Sequence, residues 1–356
     1  MKSDTMKRIF TVAMLALIGI AMTPPFSLLH PLRLKAADTL PAQYSDAEFW
    51  HFVNDFSEPG GSFQYENFVS NEVSYMDVLP ELTRIVKPGG AYLGVAPEQN
   101  FTYVAAIKPK VAFVLDIRRQ NMIELLMYKA LFEMSPNRVE FVSRLFSRQK
   151  PSSLPANPSA EQMFKAFDQM KGDPELYKQT FQAIKDRLKQ HGFRPVGDDE
   201  EKMDYVFKVF LSGGPRMDYT FASVSPNNQL PSYYNLMVAT DGRGKNWAYL
   251  DTEERYDYVR QMQQKNLIIP LVADFGGAKT IKEIAKYLKE HGAVVSVFYI
   301  SNVEDYLESS WNQYRANLAA LPADDSTLLI RFLPRANTVL ARIPDLTPRW
   351  PGIYWH

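Results

Sequence analysis

The chain predicts a doubly wound α/β fold, a mostly parallel sheet interrupted by a mainly helical insertion, and three observations predict it. The stretch from Gly90 to Asn121 reads as strand, helix and strand, the length of a βαβ unit at about 30 residues. Its two strands, AYLGVA and VAFVLDI, are apolar throughout until Asp116, as strands buried on both faces must be. The alternation returns at Asn266 with NLIIPLVAD, AVVSVFYIS and STLLIRFL, so strands alternate with helices along most of the chain.

The first 36 residues stand apart. Lys2, Lys7 and Arg8 precede Ile9 to Met22, an uncharged apolar run, and together they resemble the basic and hydrophobic regions of a secretory signal. Ala36-Ala37 offers small residues for cleavage. Left uncleaved, Ile9 to Leu29 is barely long enough to span a bilayer, and Pro24-Pro25 would disturb the helix. Residues 1–36 are therefore expected to be a signal peptide or membrane anchor. The protein would then be exported (periplasmic or extracellular) or anchored, with a cytoplasmic location as the alternative.

Residues 37–134 should hold an N-terminal cap and the first βαβ unit. Ser45 to Phe56 has a serine cap before apolar residues at helical spacing. Pro59-Gly60-Gly61 requires a turn, and Ser57 to Glu72 sets many polar side chains beside aromatics. Val73 to Val86 predicts a helix, stopped by Lys87-Pro88-Gly89-Gly90. After Asn121, MIELLMYKALFEM predicts a helix packing through Ile123, Leu126, Met127 and Ala130.

Residues 135–265 read as an insertion that lids the site. Ala160 to His191 predicts two amphipathic helices separated by Gly172-Asp173-Pro174, and Asp198 to Lys202 a solvated loop or helix start. Tyr205 to Leu211 (YVFKVFL) and Ser232 to Thr240 (SYYNLMVAT) are candidate strands, and Glu253 to Lys265 a helix. Residues 266–356 complete the sheet. One strand ends at Asp274, a helix from Lys279 stops at Gly292, and the next strand ends at Ser301-Asn302. A helix should run from Val303 towards Trp311, Ser326 to Leu333 form the last strand, and the proline-rich tail wrap the surface.

Composition narrows the function classes. At 356 residues the chain can bury a substantial core. Its 40 basic and 40 acidic residues leave no global field to attract nucleic acid, so no such partner is expected. The absence of cysteine excludes disulfides, thiolate nucleophiles and zinc–thiolate centres, and no metal site is expected. Asp274-Phe275-Gly276 stands without an HRD-type catalytic loop, Gly276 to Thr280 lacks the leading glycine of a phosphate loop, and no GxSxG elbow exists. The expected partner is a small-molecule ligand, with membrane association through the N-terminal apolar segment.

Ligands of open α/β sheets bind at the carboxyl ends of strands. Those ends carry Gly94 with Pro97, Glu98, Gln99 and Asn100; Asp116 with Ile117 and Arg118; Asp274 with Phe275; and Ser301 with Asn302 and Glu304. In that order they resemble a class I S-adenosylmethionine-dependent methyltransferase, over about residues 90 to 134 and 266 to 333. The resemblance implies a Rossmann-like, methyltransferase-like sheet and S-adenosylmethionine as cofactor. It would make Gly94 the first loop, Asp116 the ribose site, Asp274 the adenine site and Asn302 the loop facing the methyl group. LGVAPEQN departs from the family's first loop in keeping one glycine. The segments SEPGGSFQYENFVSNE, GVAPEQNFTY, DIRRQN and YISNVEDYL also resemble a bacterial family with no assigned activity.

Ser57 to Glu72 could close over the sheet edge with Glu58, Asn67, Asn71 and Glu72 facing a ligand, or these side chains could bond to their own loop. Methyl transfer needs chiefly alignment, with one base. The candidates for catalysis are Glu72, Glu98, Asn302 and Glu304. The alternative is a non-catalytic exported or membrane-anchored binding protein that retains the fold, with Asp116 and Asp274 only capping helices or pairing with arginines. S-adenosylmethionine is a cytoplasmic metabolite, so export favours that alternative.

Overall fold

A computed structural model describes residues 38–95, 97–219, 230–333 and 337–346. The expectations for the N-terminal signal or anchor fall outside these residues. Among the described residues, no helix is long and apolar enough to cross a membrane.

The chain enters through a short helix, α1 (Asp46–His51), and a π-helical turn, Phe52–Phe56. Ser45 and Glu48 close a capping box at its start. Val73 to Val86 is helical only in its second half, α2 (Leu79–Ile85), because turns occupy residues 73–78. The βαβ unit follows as β1 (Ala91–Val95), α3 (Gln99–Ile107) and β2 (Val111–Asp116). Every residue of both strands is buried, so their uninterrupted apolar runs reflect cover on two faces.

Next comes α4 (Arg119–Met134), buried from Asn121 to Phe132 on all sides. It packs on β2 and on the strand that follows it in the sheet, while the helices of the long connection cover its outer face. Those helices are α5 (Arg138–Leu145), α6 (Ala160–Asp168), α7 (Pro174–Gln190), α8 (Asp199–Gly213), α9 (Tyr233–Val238) and α10 (Glu253–Gln264).

Two sequence expectations are corrected in this region. YVFKVFL lies inside α8, where Met203, Val206, Phe207 and Phe210 are buried at helical spacing while Tyr205 faces out. SYYNLMVAT contains α9, started by a capping box between Ser232 and Asn235. In both, aromatic and β-branched residues chosen for packing imitate strand propensity. The acidic run 198–202 begins α8, and its Asp199 is buried rather than solvated.

The sheet resumes with β3 (Ile268–Val272), α11 (Thr280–Glu290) and β4 (Val295–Ser301). The helix expected from Val303 is replaced by two 3-10 turns before α12 (Trp311–Ala320). β5 (Leu328–Leu333) and β6 (Asn337–Ala341) end the described chain. β6 pairs antiparallel to β5, Leu333 opposite Asn337, so this part of the tail is an edge strand rather than a surface wrap.

The strand order is β3-β2-β1-β4-β5-β6, parallel except for β6. Helices α3, α4 and α10 contact one another, and α11 contacts α12 and the π-helical turn. The result is a doubly wound α/β sheet consistent with a Rossmann-like fold. The strand order reverses between β1 and β4, which leaves a crevice at their carboxyl ends.

Candidate functional site

A cavity of about 310 Å³ occupies that crevice, a size found among small-molecule sites (~300–1,000 Å³). Its floor is the end of four parallel strands: Val95 and Pro97 after β1, Asp116 and Ile117 at β2, Asp274 and Phe275 after β3, and Tyr299, Ser301 and Asn302 on β4. The stretches expected to converge do so and leave a hollow.

Residues 57–72 form a strap across these ends. Glu58 N donates to Val272 O (2.9 Å), Gly61 N to Ile117 O (2.7 Å), and Ser70 N to Glu98 Oε1 (3.5 Å). Gly61 must be glycine, because a Cβ there would stand 2.7 Å from Ile117 Cγ1. Asn67 adopts φ 57° and Ser301 φ 50°; both line the cavity. Asparagine tolerates this region readily, whereas serine is held there by its surroundings.

The strap ends at Glu72, the best-connected carboxylate of the cavity. Its Oε1 accepts from Tyr299 Oη (2.7 Å) and from Ser301 Oγ, and its Oε2 from Gln99 Nε2 (3.4 Å). Burial outweighs these donors and pushes its carboxyl up from 4.5 to about 7. Asp116 accepts from Arg118 N (2.7 Å) and Asn67 Nδ2 (3.5 Å). Burial lifts it to about 6, opposed by the Arg118 charge. Asp274 turns its own loop by accepting from Gly276 N (2.8 Å).

Several expected site residues do other work. Gly94 does not line the cavity: a Cβ there would lie 1.9 Å from Asn100 Oδ1. Asn100 fills that space, accepting from Tyr92 Oη (2.7 Å) and donating to the carbonyls of Val95 (2.7 Å) and Pro97 (2.6 Å). The glycine thus admits a side chain rather than a ligand. Glu98 and Gln99 are buried behind the wall. Glu98 Oε2 has no hydrogen-bond partner among the described residues, and burial raises its carboxyl to about 8.

Arg118 also lies outside the lining. It bonds Asn121 Oδ1 (2.5 Å) and lies 3.5 Å from Glu66. Glu58 faces the start of α11, accepting from the backbone N–H groups of Lys279 (2.8 Å) and Asp274 (3.1 Å). Glu304 is buried and holds Arg331 through Nε (2.8 Å) and Nη2 (2.5 Å). Of the four catalytic candidates, Glu72 and Asn302 line the cavity.

Aromatic lining was the part sequence reasoning missed. Phe63, Tyr219, Tyr299 and Tyr306 contribute to the wall. The aromatic density of residues 57–72 signalled Phe63, but Tyr219 comes from the insertion, more than 50 residues along the chain from any other residue of the wall.

The charged residues of the wall are Glu72, Asp116 and Asp274. Among the described residues no Lys, Arg or His contributes to the wall, and Arg118, which acts on Asp116 from behind it, is itself paired with Glu66, so the wall is acidic. Among the described residues there is also no group of three His, Cys, Asp or Glu placed to hold a metal ion.

The molecule is therefore a doubly wound α/β protein with an acidic, aromatic-walled cavity at the reversal of its sheet. Within that class it belongs to the family described as "Domain of unknown function (DUF7790)", whose model matches residues 67–351. The match begins inside the strap and takes in the whole described sheet. No curated protein matches the chain at a significant level.

Proposed function

We propose that the cavity binds S-adenosylmethionine, in a methyltransferase-like protein of Rossmann-like architecture. The charge of the wall is what supports this reading. A dinucleotide would need its pyrophosphate met by basic side chains or by a helix N-terminus approached over glycines. This wall is acidic, and the space at its one early glycine is taken by Asn100. A nucleoside that carries a sulfonium and no phosphate suits such a wall. Asp116 would take the ribose and Asp274 the adenine, leaving Ser301 and Asn302 at the methyl end. There Glu72, fixed by Tyr299 and Ser301, is the group that can accept a proton from the acceptor.

Calorimetric titration of the full-length protein with S-adenosylmethionine and S-adenosylhomocysteine tests the reading. Both should bind, and Asp116→Ala should weaken both by about tenfold, the worth of a hydrogen bond to a charged group. A folded protein that gives no heat with either ligand removes the proposal.

A second reading, a non-catalytic binding protein, draws support from the loop after β1, which its own side chains fill. Binding without formation of S-adenosylhomocysteine would select it. Export of a tagged full-length chain into the periplasm or medium, seen by fractionation, would favour it too.

A further inference from the structure

The mouth of the cavity carries a chain of aromatic rings from three separate segments. Tyr306, in the connection after β4, meets Phe63 of the strap edge-on (5.1 Å between centroids, 78°). Phe63 meets Tyr65 (5.9 Å, 67°), and Tyr65 meets Tyr219 of the insertion (5.3 Å, 49°). Tyr65 is 36% and Tyr306 46% exposed. Tyr65 and Tyr306 touch other rings yet stay partly open, so they are unsatisfied as core, and neighbouring rings in the chain are inclined to one another by 49° to 78°. Below them lie Glu72, Asp116 and Asp274. The nearby Arg118 guanidinium is engaged by Glu66 and Asn121.

We infer that the collar Phe63–Tyr65–Tyr219–Tyr306 receives an alkylammonium group, and that the methyl acceptor is therefore an alkylamine arriving as its cation. This rests on the proposed cofactor reading and names the substrate class of the same site. Ring faces attract cations through their quadrupole, and attract them more as water is excluded. The carboxylates beneath add attraction of the same sign and repel anionic acceptors. The chemistry closes with the groups present. Glu72, as carboxylate, takes a proton from the ammonium nitrogen. The freed lone pair forms the N–CH₃ bond as the donor's C–S bond breaks, and sulfur keeps that electron pair as the neutral thioether.

The test uses choline, a quaternary stand-in for the acceptor, and 3,3-dimethyl-1-butanol, its neutral isostere, titrated calorimetrically into the full-length protein. Choline should bind at least about tenfold more tightly than the alcohol. Tyr306→Leu and Tyr65→Leu should each weaken choline about fivefold while circular dichroism stays that of the wild type, since both side chains are partly exposed. Equal affinity for the two probes, binding of neither, or indifference to both substitutions would overturn the inference. S-adenosylmethionine is titrated into the same samples to separate the two readings. Cofactor binding without choline preference removes the collar alone, whereas choline preference without cofactor binding leaves the collar and removes the methyl donor.

Discussion

Beside the buried Glu124, which is itself raised well above its ordinary value, three carboxyl groups at this end of the sheet hold protons unusually well: Glu72 to about 7, Glu98 to about 8 and Asp116 to about 6, each driven up by burial. Such clustering is what functional sites show, but the three differ in what their protons do. Glu72 has three donors around it and titrates near neutrality, so it can exchange a proton with a ligand. Glu72→Gln should lower methyl transfer about 10²-fold or more. It should also erase the limb of the pH–rate profile near pH 7, while cofactor affinity stays close to that of the wild type. An unchanged limb in the variant would take the proton-accepting role away from Glu72.

Glu98 lacks that connection and acts on stability instead. Its folded value lies above the ordinary 4.5, so below about pH 4.5 both folded and unfolded states are protonated and nothing is lost. As pH rises from there towards 8, the unfolded state ionises while the folded state does not, and stability falls, by about 3 kcal/mol at pH 7. Glu98→Gln should therefore melt close to the wild type at pH 4.5 and well above it at pH 8. Parallel melting curves at the two pH values would show that Glu98 is ionised in the fold.

The strap is the element that turns a sheet into a site. It is pinned over β3 by Glu58, whose carboxylate binds the backbone N–H groups of Asp274 and Lys279. A Cβ on Gly277 would stand 2.5 Å from that carboxylate. Removing the pin frees the start of α11 and the loop that carries Asp274 and Phe275. Glu58→Ala should cost about 2 kcal/mol of unfolding free energy and weaken ligand binding, with Glu58→Gln in between because an amide oxygen still accepts. Urea denaturation gives the first quantity and calorimetry the second. A stable variant with weakened binding would mean that Glu58 meets the ligand directly.

The same element shows how far sequence carried. Apolar runs located all five parallel strands, because burial on two faces leaves few polar positions, such as Ser296 of β4 and Arg331 of β5, and Asp116 and Asp274 fell where those runs stop. The strap's route could not be read from Ser57 to Glu72, since its bonds go to Val272, Ile117 and Tyr299, partners distant in sequence. Glu58 and Asn67 look alike as polar loop residues, yet one caps a helix and the other lines the cavity. β6 escaped because an edge strand has one covered side and lacks an apolar run.

At the scale of the molecule, one histidine adds a polar clasp between the insertion and helices α1 and α4, beside the helix packing and the Arg119–Asp199 pair that also hold it. His191 follows α7 and sets Nδ1 2.8 Å from Asp46 of α1 and Nε2 2.7 Å from Glu133 at the end of α4. Its carbonyl accepts from Trp50 Nε1 (2.6 Å). Lys129 and Arg187 also face the cluster, at 2.8 and 3.9 Å from Glu133. The Glu133 hydrogen bond, with that of Asp46, raises His191 above its ordinary 6.5 despite burial, while Asp46 and Glu133 are held below the usual carboxylate values.

A histidine whose folded value is raised contributes stability fully below its unfolded value, and that contribution is lost as pH rises through the folded value. The two carboxylates set the other limit, because their share is lost as pH falls through their own lowered values. His191→Gln should therefore lower the melting temperature most at about pH 5.5 to 6.5 and least at about pH 9, where the neutral ring keeps packing but not charge. The insertion supplies Tyr219 to the cavity. Glu72 and Asp116 make ligand affinity vary with pH in both proteins, and a clasp that positions Tyr219 should add to the wild-type profile a fall that the variant lacks. A melting difference that does not change with pH would show that His191 stays neutral in the fold and holds the insertion through hydrogen bonds and packing, without its charge.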